Sequence, residues 1–247
     1  MCNPEREMQG TQSVAEIRPE AGFLVLGVEI CGPSGTVALA RLGDGLARIL
    51  GQTELAGRSY SATLVAAVGD LLASFGAKLD EIGAIVVTSG PGSFTGVRVG
   101  LSAVKGLAEP RQIPVVAVSR LAVLAARAGV GSAALDAHRH EVFLRFAGAD
   151  GCTRELLAGA EELAEAHPLP VKIAVCDEQA AELLKASWKG VELIRGEAPT
   201  AADAIQLCVP RILAREFDDL ALLDGHYLRR SDAEIFGDPT TPKAPRA

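Results

Sequence analysis

Residues 82–109 read IGAIVVTSGPGSFTGVRVGLSAVKGLAE. Ile82–Ser89 is apolar, β-branched and of strand length, which predicts a buried strand. The Gly-rich stretch Ser89–Leu101, SGPGSFTGVRVGL, leads into a helix predicted over Thr95–Glu109, which stops before Pro110. Strand, glycine turn and helix N-terminus in that order can present backbone N–H groups to an anion. Two phosphate-binding motifs can be tested by spacing. Walker A needs GxxxxGK followed by Ser or Thr, and no Lys stands where one is required. The dinucleotide fingerprint GxGxxG also fails, because Gly90, Gly92 and Gly96 space as GxGxxxG. Two readings of Gly90, Gly92, Ser93 and Thr95 stay open: an anion loop, or a tight turn with a close helix contact.

Upstream, Phe23–Ile30, Thr36–Leu42 and Leu46–Glu54 read as three strands joined by short Gly-containing turns, an antiparallel meander. Ser59–Phe75 changes to helical period, with Leu64, Val68, Leu71, Leu72 and Phe75 on one stripe. The first half is therefore β-β-β-α-β-α, which is wrong for a Rossmann unit. The second half repeats the pattern. Val115–Val118 is a strand and Leu121–Arg127 a helix. Ala133–Ala137, Glu141–Ala147 and Cys152–Leu156 are further strands. Helix Glu161–His167, strand Val171–Val175, helix Glu178–Lys185, strand Val191–Ile194 and helix Thr200–Phe217 follow. This predicts an α/β, duplicated actin-like ATPase (RNase H-like) fold of two lobes with mixed sheets. The expected divisions are a disordered leader at 1–20, lobes at 21–110 and 111–236, and a flexible tail at 237–247.

The chain has 247 residues, 24 Lys+Arg against 31 Asp+Glu, and a net charge of −7. Phosphate binding needs clustered basic residues and no dense basic stretch is present, so the chain reads as a poor solitary nucleic-acid binder, with much of the positive field for any RNA contact expected from a partner. Cys2, Cys31, Cys152, Cys176 and Cys208 are scattered, with no CxxC, which excludes a zinc ribbon. Unpaired thiols fit a cytoplasmic location. No apolar run approaches the roughly 18 residues that span a bilayer, so no membrane partner is expected.

Both N-terminal helices carry small-residue faces. On Thr95–Glu109, Gly96, Gly100 and Ala103 lie beside the bulky Val97, Leu101, Val104 and Ala108. On Ser59–Phe75 the small face is Ala62, Ala66, Gly69 and Ala73. Glycine costs a helix about 0.5–1 kcal/mol relative to Ala, so Gly96 and Gly100 on one face point to a packing reason. That packing is either intrachain or an intermolecular helix bundle. In the second case Gly100→Leu should abolish pairing and leave the monomer folded. Asp136, His138 and His140 alternate, as ligands on an extended strand would, or else form a polar turn. Ser93 misses the GxSxG elbow because the following Gly stands one position late. Arg229, Arg230 and Lys105 are either contacts for a partner or solvated charges.

Several segments carry a resemblance in the same order along the chain. Gly90–Ala108, GPGSFTGVRVGLSAVKGLA, resembles the signature of the bacterial TsaB (YeaZ) family. Leu26–Leu39 is similar to that family's first strand–turn–strand, Val118–Leu121 to its V-S-x-L step, Asp136–Phe143 to its D-A-R-x-x-E-V-Y segment and Tyr227–Arg229 to its Y-L-R. The resemblance covers about residues 22–236. It implies a non-catalytic, cytoplasmic subunit with no cofactor and no metal. That subunit would pair with TsaD, and with TsaE, for threonylcarbamoyl transfer to N6 of the adenosine next to the anticodon of ANN-reading tRNAs. The tRNA would be met only through the complex. The family's pairing surface uses the two N-terminal helices, which would place Ala62, Ala66, Gly69, Ala73, Gly96, Gly100 and Ala103 at or near the TsaD contact, or at a homodimer contact when TsaD is absent. TsaD-type chemistry uses an H-x-x-x-H helix, and none of His138, His140, His167 and His226 lies on the two N-terminal helices. Glu29, Ile30 and Cys31 replace the family's D-T-S, Tyr60 stands where many members have His, and His138 where they have Arg. The alternative is a stand-alone nucleotide-binding ATPase or kinase of the actin fold.

Overall fold

The structure, a computed structural model, describes residues 22–56, 59–148 and 150–229. The leader at 1–20, the tail at 237–247 and Arg230 lie outside the described residues.

The first sheet contains β1 (Phe23–Glu29), β2 (Ser34–Gly43), β3 (Leu46–Ala56), β4 (Ile82–Thr88) and β5 (Val115–Val118), in the order β3-β2-β1-β4-β5. β1 and β2 are antiparallel with Leu26 opposite Leu39, whereas β4 runs parallel to β1 and β5 parallel to β4. Parallel strands between helix layers are covered on both faces, which is why β4 reads as one apolar run. The second sheet contains β6 (Ala133–Asp136), β7 (Val142–Ala147), β8 (Thr153–Ala158), β9 (Lys172–Val175) and β10 (Glu192–Arg195). Its order from the β8 edge is β8-β7-β6-β9-β10, with the same sequence of antiparallel and parallel pairings. The chain is therefore a duplicated α/β protein in which each repeat runs β-β-β-α-β-α-β-α.

Helices α1 (Tyr60–Ser74) and α2 (Phe94–Ala108) cover one face of the first sheet, where Leu64, Val68, Leu71, Val97, Leu101 and Val104 meet Leu24, Leu26 and Val28. Helices α4 (Ala160–Glu165) and α5 (Glu178–Ser187) do the same for the second sheet, with Leu163, Leu184 and Trp188 against Leu144, Ile173 and Val175. The remaining helices, α3 (Arg120–Arg127) and α6 (Ala201–Leu213), are exchanged between the repeats. The apolar stripe of α6, Ala204, Ile205, Cys208 and Ile212, packs on Val25, Ala38, Ala84 and Val86 of the first sheet. Burial of a side chain such as Ile205 contributes about 1.5–3 kcal/mol. Leu121 and Leu124 of α3 pack on Leu135, Phe143 and Ala174 of the second sheet, while Val123 joins the first sheet's cluster.

This exchange corrects the expected lobe boundary at 110/111. β5 is the fifth strand of the first sheet, and α6, read from the sequence as part of the second lobe, returns to the first. Each sheet has two apolar faces, and its own repeat supplies helices for only one of them. Other expected ends also move. α4 stops at Glu165, ahead of the His167–Pro168 step, because a residue before Pro disfavours helix. α6 stops at Leu213 rather than Phe217, because Arg215 takes a left-handed φ of 57°. β8 spans Thr153–Ala158 rather than Cys152–Leu156.

Candidate functional site

The end of β1 enters a sealed polar cluster. Glu29 is buried, and its Oε1 accepts the Cys31 N–H at 2.9 Å. Arg120, the first residue of α3, is also buried, with Nε 3.2 Å from Glu29 Oε1 but without hydrogen-bond alignment. Burial pushes the Glu29 carboxyl above its ordinary range, against the opposing pull of Arg120 and the Cys31 N–H. The Cys31 Sγ lies 3.3 Å from Thr88 Oγ1, and burial followed by the Glu29 charge pushes the thiol up to about 12. A thiol held that high is not a thiolate nucleophile near neutral pH. Tyr60 donates from its hydroxyl to the Gly32 carbonyl at 2.9 Å. A Cβ on Gly32 would lie 2.4 Å from an Arg120 guanidinium nitrogen, so the guanidinium fills the space above the β1–β2 turn.

The glycine loop packs beneath this cluster. Gly90 has a φ of 110°, a conformation that suits glycine. A Cβ on Gly92 would meet the Cys31 carbonyl oxygen at 2.2 Å, and one on Gly96 would meet the Ile30 carbonyl oxygen at 2.1 Å. The Ser93 N–H donates to the Cys31 carbonyl at 2.8 Å, and Ser93 Oγ caps α2 by accepting the Gly96 N–H at 3.2 Å. These N–H groups and glycines serve the close approach of the loop and α2 to the end of β1. A close contact of this kind is what the turn reading expects. Ser93 and Thr95 are exposed at its surface.

The two small-residue faces differ. Ala62, Ala66, Gly69 and Ala73 of α1 are all exposed, as is Val65 at 57%, and a Cβ on Gly69 would meet nothing within 4 Å. On α2, Gly96 and Gly100 are buried and Ala103 is half-buried. A Cβ on Gly100 would lie 3.1 Å from the Ile30 side chain. Gly96 and Gly100 thus have an intrachain reason, and Gly100→Leu would strike the monomer's own core instead of testing a surface. Near the start of α2, the exposed Phe94 packs with Tyr227 at a ring-centroid distance of 5.1 Å, and Arg98 stacks 3.8 Å above the Phe94 ring.

Asp136, His138 and His140 form the polar turn. β6 ends at Asp136, and His138, Arg139 and His140 all take left-handed φ values of 57–62°. Asp136 anchors the turn by accepting the His138 N–H at 2.8 Å, with its other oxygen 2.8 Å from His138 Nδ1. Among the described residues, no group of three His, Cys, Asp or Glu side chains is placed to hold a metal. Arg229 bonds the Ala137 carbonyl at 2.7 Å and pairs with Glu141, so it is an intramolecular tie.

One constellation escaped the sequence reading. Glu155 on β8, 9% exposed in its side chain, lies at a hub. It accepts from the Ser119 hydroxyl at 2.6 Å and from Arg145 at 2.6 Å, and sits 2.8 Å from His226 Nε2. Burial pushes its carboxyl up, but the bonds from His226, Ser119 and Arg145 outweigh burial and hold it below the usual range. The hub forms one wall of an open cleft of about 750 Å³, also lined by Ser89, Asp218 and Leu222. Ser119 bonds the carboxylate and His226 bonds that same carboxylate, so the order differs from a Ser–His–Asp relay. Only Ser119, a Ser ahead of a helical run, had a signal in the sequence, as an N-cap.

Two mixed five-stranded sheets of one strand order, with their helices, give the chain a duplicated actin-like α/β fold. The TsaD family, described as tRNA N6-adenosine threonylcarbamoyltransferase, matches residues 50–160. The tRNA threonylcarbamoyladenosine biosynthesis protein TsaB of Haemophilus influenzae is 36% identical over 96 residues, which cover 36% of this chain and 41% of that protein. The TsaB of Bacillus subtilis is 39% identical over 90 residues, covering 35% and 39%. These alignments span about two fifths of the curated relatives they match. A Pseudomonas aeruginosa crystal structure, described as having similarity to peptidase YEAZ, superposes with a TM-score of 0.69 at 29% identity, covering 84% of this chain and all of that one. The resemblance to the TsaB (YeaZ) family thus holds in sequence and in fold. No helix among the described residues is long and apolar enough to cross a membrane.

Proposed function

We propose that this chain acts in tRNA threonylcarbamoyladenosine biosynthesis as a non-catalytic subunit that pairs with TsaD and, in a larger assembly, with TsaE. The observation that carries this reading is the outward face of α1. Four small residues and the 57%-exposed Val65 form an apolar strip open to a partner helix. Small residues let two helices approach closely, and Val65 supplies apolar area to bury. In this reading the chain preorganises its partner, and transferase activity belongs to the complex. The interface residues are Ala62, Ala66, Gly69 and Ala73, with the half-buried Ala103 of α2 at the edge; Gly96 and Gly100 act from beneath by seating α2 on the first sheet. The same strip would serve a homodimer when TsaD is absent.

The test is light scattering on this chain alone and mixed with TsaD from the same organism. A one-to-one complex is expected. Gly69→Leu, placed where no atom lies within 4 Å, should weaken pairing at least tenfold while the buried Trp188 keeps its native fluorescence. Unchanged affinity in a folded variant would remove α1 from the interface. The alternative, a stand-alone nucleotide-binding ATPase of the same fold, is separated by calorimetric titration of the isolated chain with ATP and magnesium, where this reading expects no heat of binding.

A further inference from the structure

The start of α3 is gripped from both lobes. Ser119 and Arg120 are consecutive, and each is held by a carboxylate from a different sheet. From the first lobe, Glu29 at the end of β1 faces the Arg120 guanidinium, and both side chains are more than nine-tenths buried. From the second lobe, Glu155 on β8 takes the Ser119 hydroxyl. Two backbone bonds complete the grip: the Arg120 N–H donates to the Gly90 carbonyl at 2.6 Å, and the His226 N–H to the Ser89 carbonyl at 2.7 Å. His226 also binds Glu155 through its ring, so the 225–229 segment is fastened to both lobes at this point.

We infer that Glu29 and Glu155 form a two-sided clasp on Ser119–Arg120 that sets the angle between the two lobes from the chain's own residues. The reason lies in the connectivity. α3 leaves the first sheet through β5 and packs on the second, so its first turn is where the lobes pivot. A pivot held by one group can rotate, whereas one held by a buried charge pair on one side and by directional bonds on the other is restrained. The two grips are not alike. The Glu29 side is sealed, and the Arg120 Nε–H finds no hydrogen-bond partner, so this side places a charge without a tight bond. The Glu155 side carries three short contacts and borders the open cleft, so it supplies the direction. Both residues act as positioning groups through α3.

Hydrogen–deuterium exchange on the full chain, with small-angle scattering on the same samples, tests this. Glu155→Ala should raise exchange at least tenfold at the first turn of α3, where Ser119 Oγ caps the Ala122 N–H, and across 225–229. The amides of β1, β4, β6 and β9 should keep their protection, and the scattering profile should broaden as the lobes sample more angles. Glu155→Gln keeps an acceptor in place and should give a smaller rise at the same amides. Glu29→Leu combined with Arg120→Met removes both charges without stranding either, and should raise exchange at Cys31 and the same α3 turn. A rise spread evenly over both sheets would mean general destabilisation and would overturn the clasp. So would an unchanged pattern at the α3 turn in Glu155→Ala. Because the readout is the isolated chain, the result stands apart from whether TsaD binds.

Discussion

The two lobes share one plan and differ at corresponding points. At the end of the first strand, Glu29 is sealed beside Arg120, while Asp136 at the end of β6 is 19% exposed and holds the exposed His138. Each accepts the N–H two residues on, at 2.9 Å and 2.8 Å. At the third position of the second helix of each repeat, the first lobe has Gly96 after the cap Ser93, and the second has Ala180 after the cap Asp177. At the start of the exchanged helix, the first repeat has Ser119–Arg120. The second has Thr200–Ala201, where the Ala201 N–H donates to Thr36. Duplication thus fixes where strand ends meet helix starts. The closeness of approach in each lobe decides which residue can stand there.

The largest expected effect separates the two acidic strand ends. Arg120→Ala leaves Glu29 buried with the Cys31 N–H but without its counter-charge, and should cost about 3–5 kcal/mol in urea unfolding followed by Trp188 fluorescence. His138→Ala removes an exposed partner from Asp136 and should cost less than about 1 kcal/mol. Equal costs would break the contrast.

The helix starts give the next test. Gly96→Ala drives a methyl into the Ile30 carbonyl, a backbone atom that cannot swing aside, and should cost about 3 kcal/mol. Ala180→Gly at the matching position should cost only about 1 kcal/mol, the helix propensity difference. A mild Gly96→Ala would mean that α2 can shift as a body on its sheet.

Glu29 and Glu155 should also respond to pH with opposite signs. Glu155 is held low in the folded chain, so its contribution is present above the ordinary glutamate value and lost as pH falls through the lowered one. The melting-temperature gap between the parent and Glu155→Gln should therefore shrink below about pH 4. Glu29 is raised by burial, so its contribution is greatest when protonated and declines as pH rises through its folded value. Removing it as Glu29→Gln should steepen the acid loss that remains. A constant gap for Glu155→Gln across pH 3–7 would show that the hub is not held by its charge.

The smallest effect marks where the first lobe is open. Gly69→Ala meets no atom and should raise stability by about 0.5–1 kcal/mol, visible as a higher melting temperature of the monomer.

The order and type of the elements were legible from local pattern. Period-2 and period-3.6 apolar spacing marked the strands and helices, Gly and Pro marked their ends, and the repeated order of elements revealed the duplication. The glycine loop was legible as a Gly-rich lead into a helix start, but its spacing left an anion loop and a tight turn both open; the close approach of Gly92 and Gly96 to the Cys31 and Ile30 carbonyls is tertiary. The small face of α1 was legible too, since its spacing on a helix does not depend on a neighbour. Only the tertiary structure decided the rest. That α6 covers the first sheet and α3 the second follows from each sheet having a second apolar face to bury, which no local spacing records. That Gly100 lies under α2 and Gly69 on open surface depends on where Ile30 ends up. The Glu155 hub joins residues as far apart as Ser119, Arg145 and His226, and its bonds exist only once two lobes have brought one carboxylate to all three. Periodicity reports which face of an element is apolar. The identity of what that face meets is set by the packing of the whole chain.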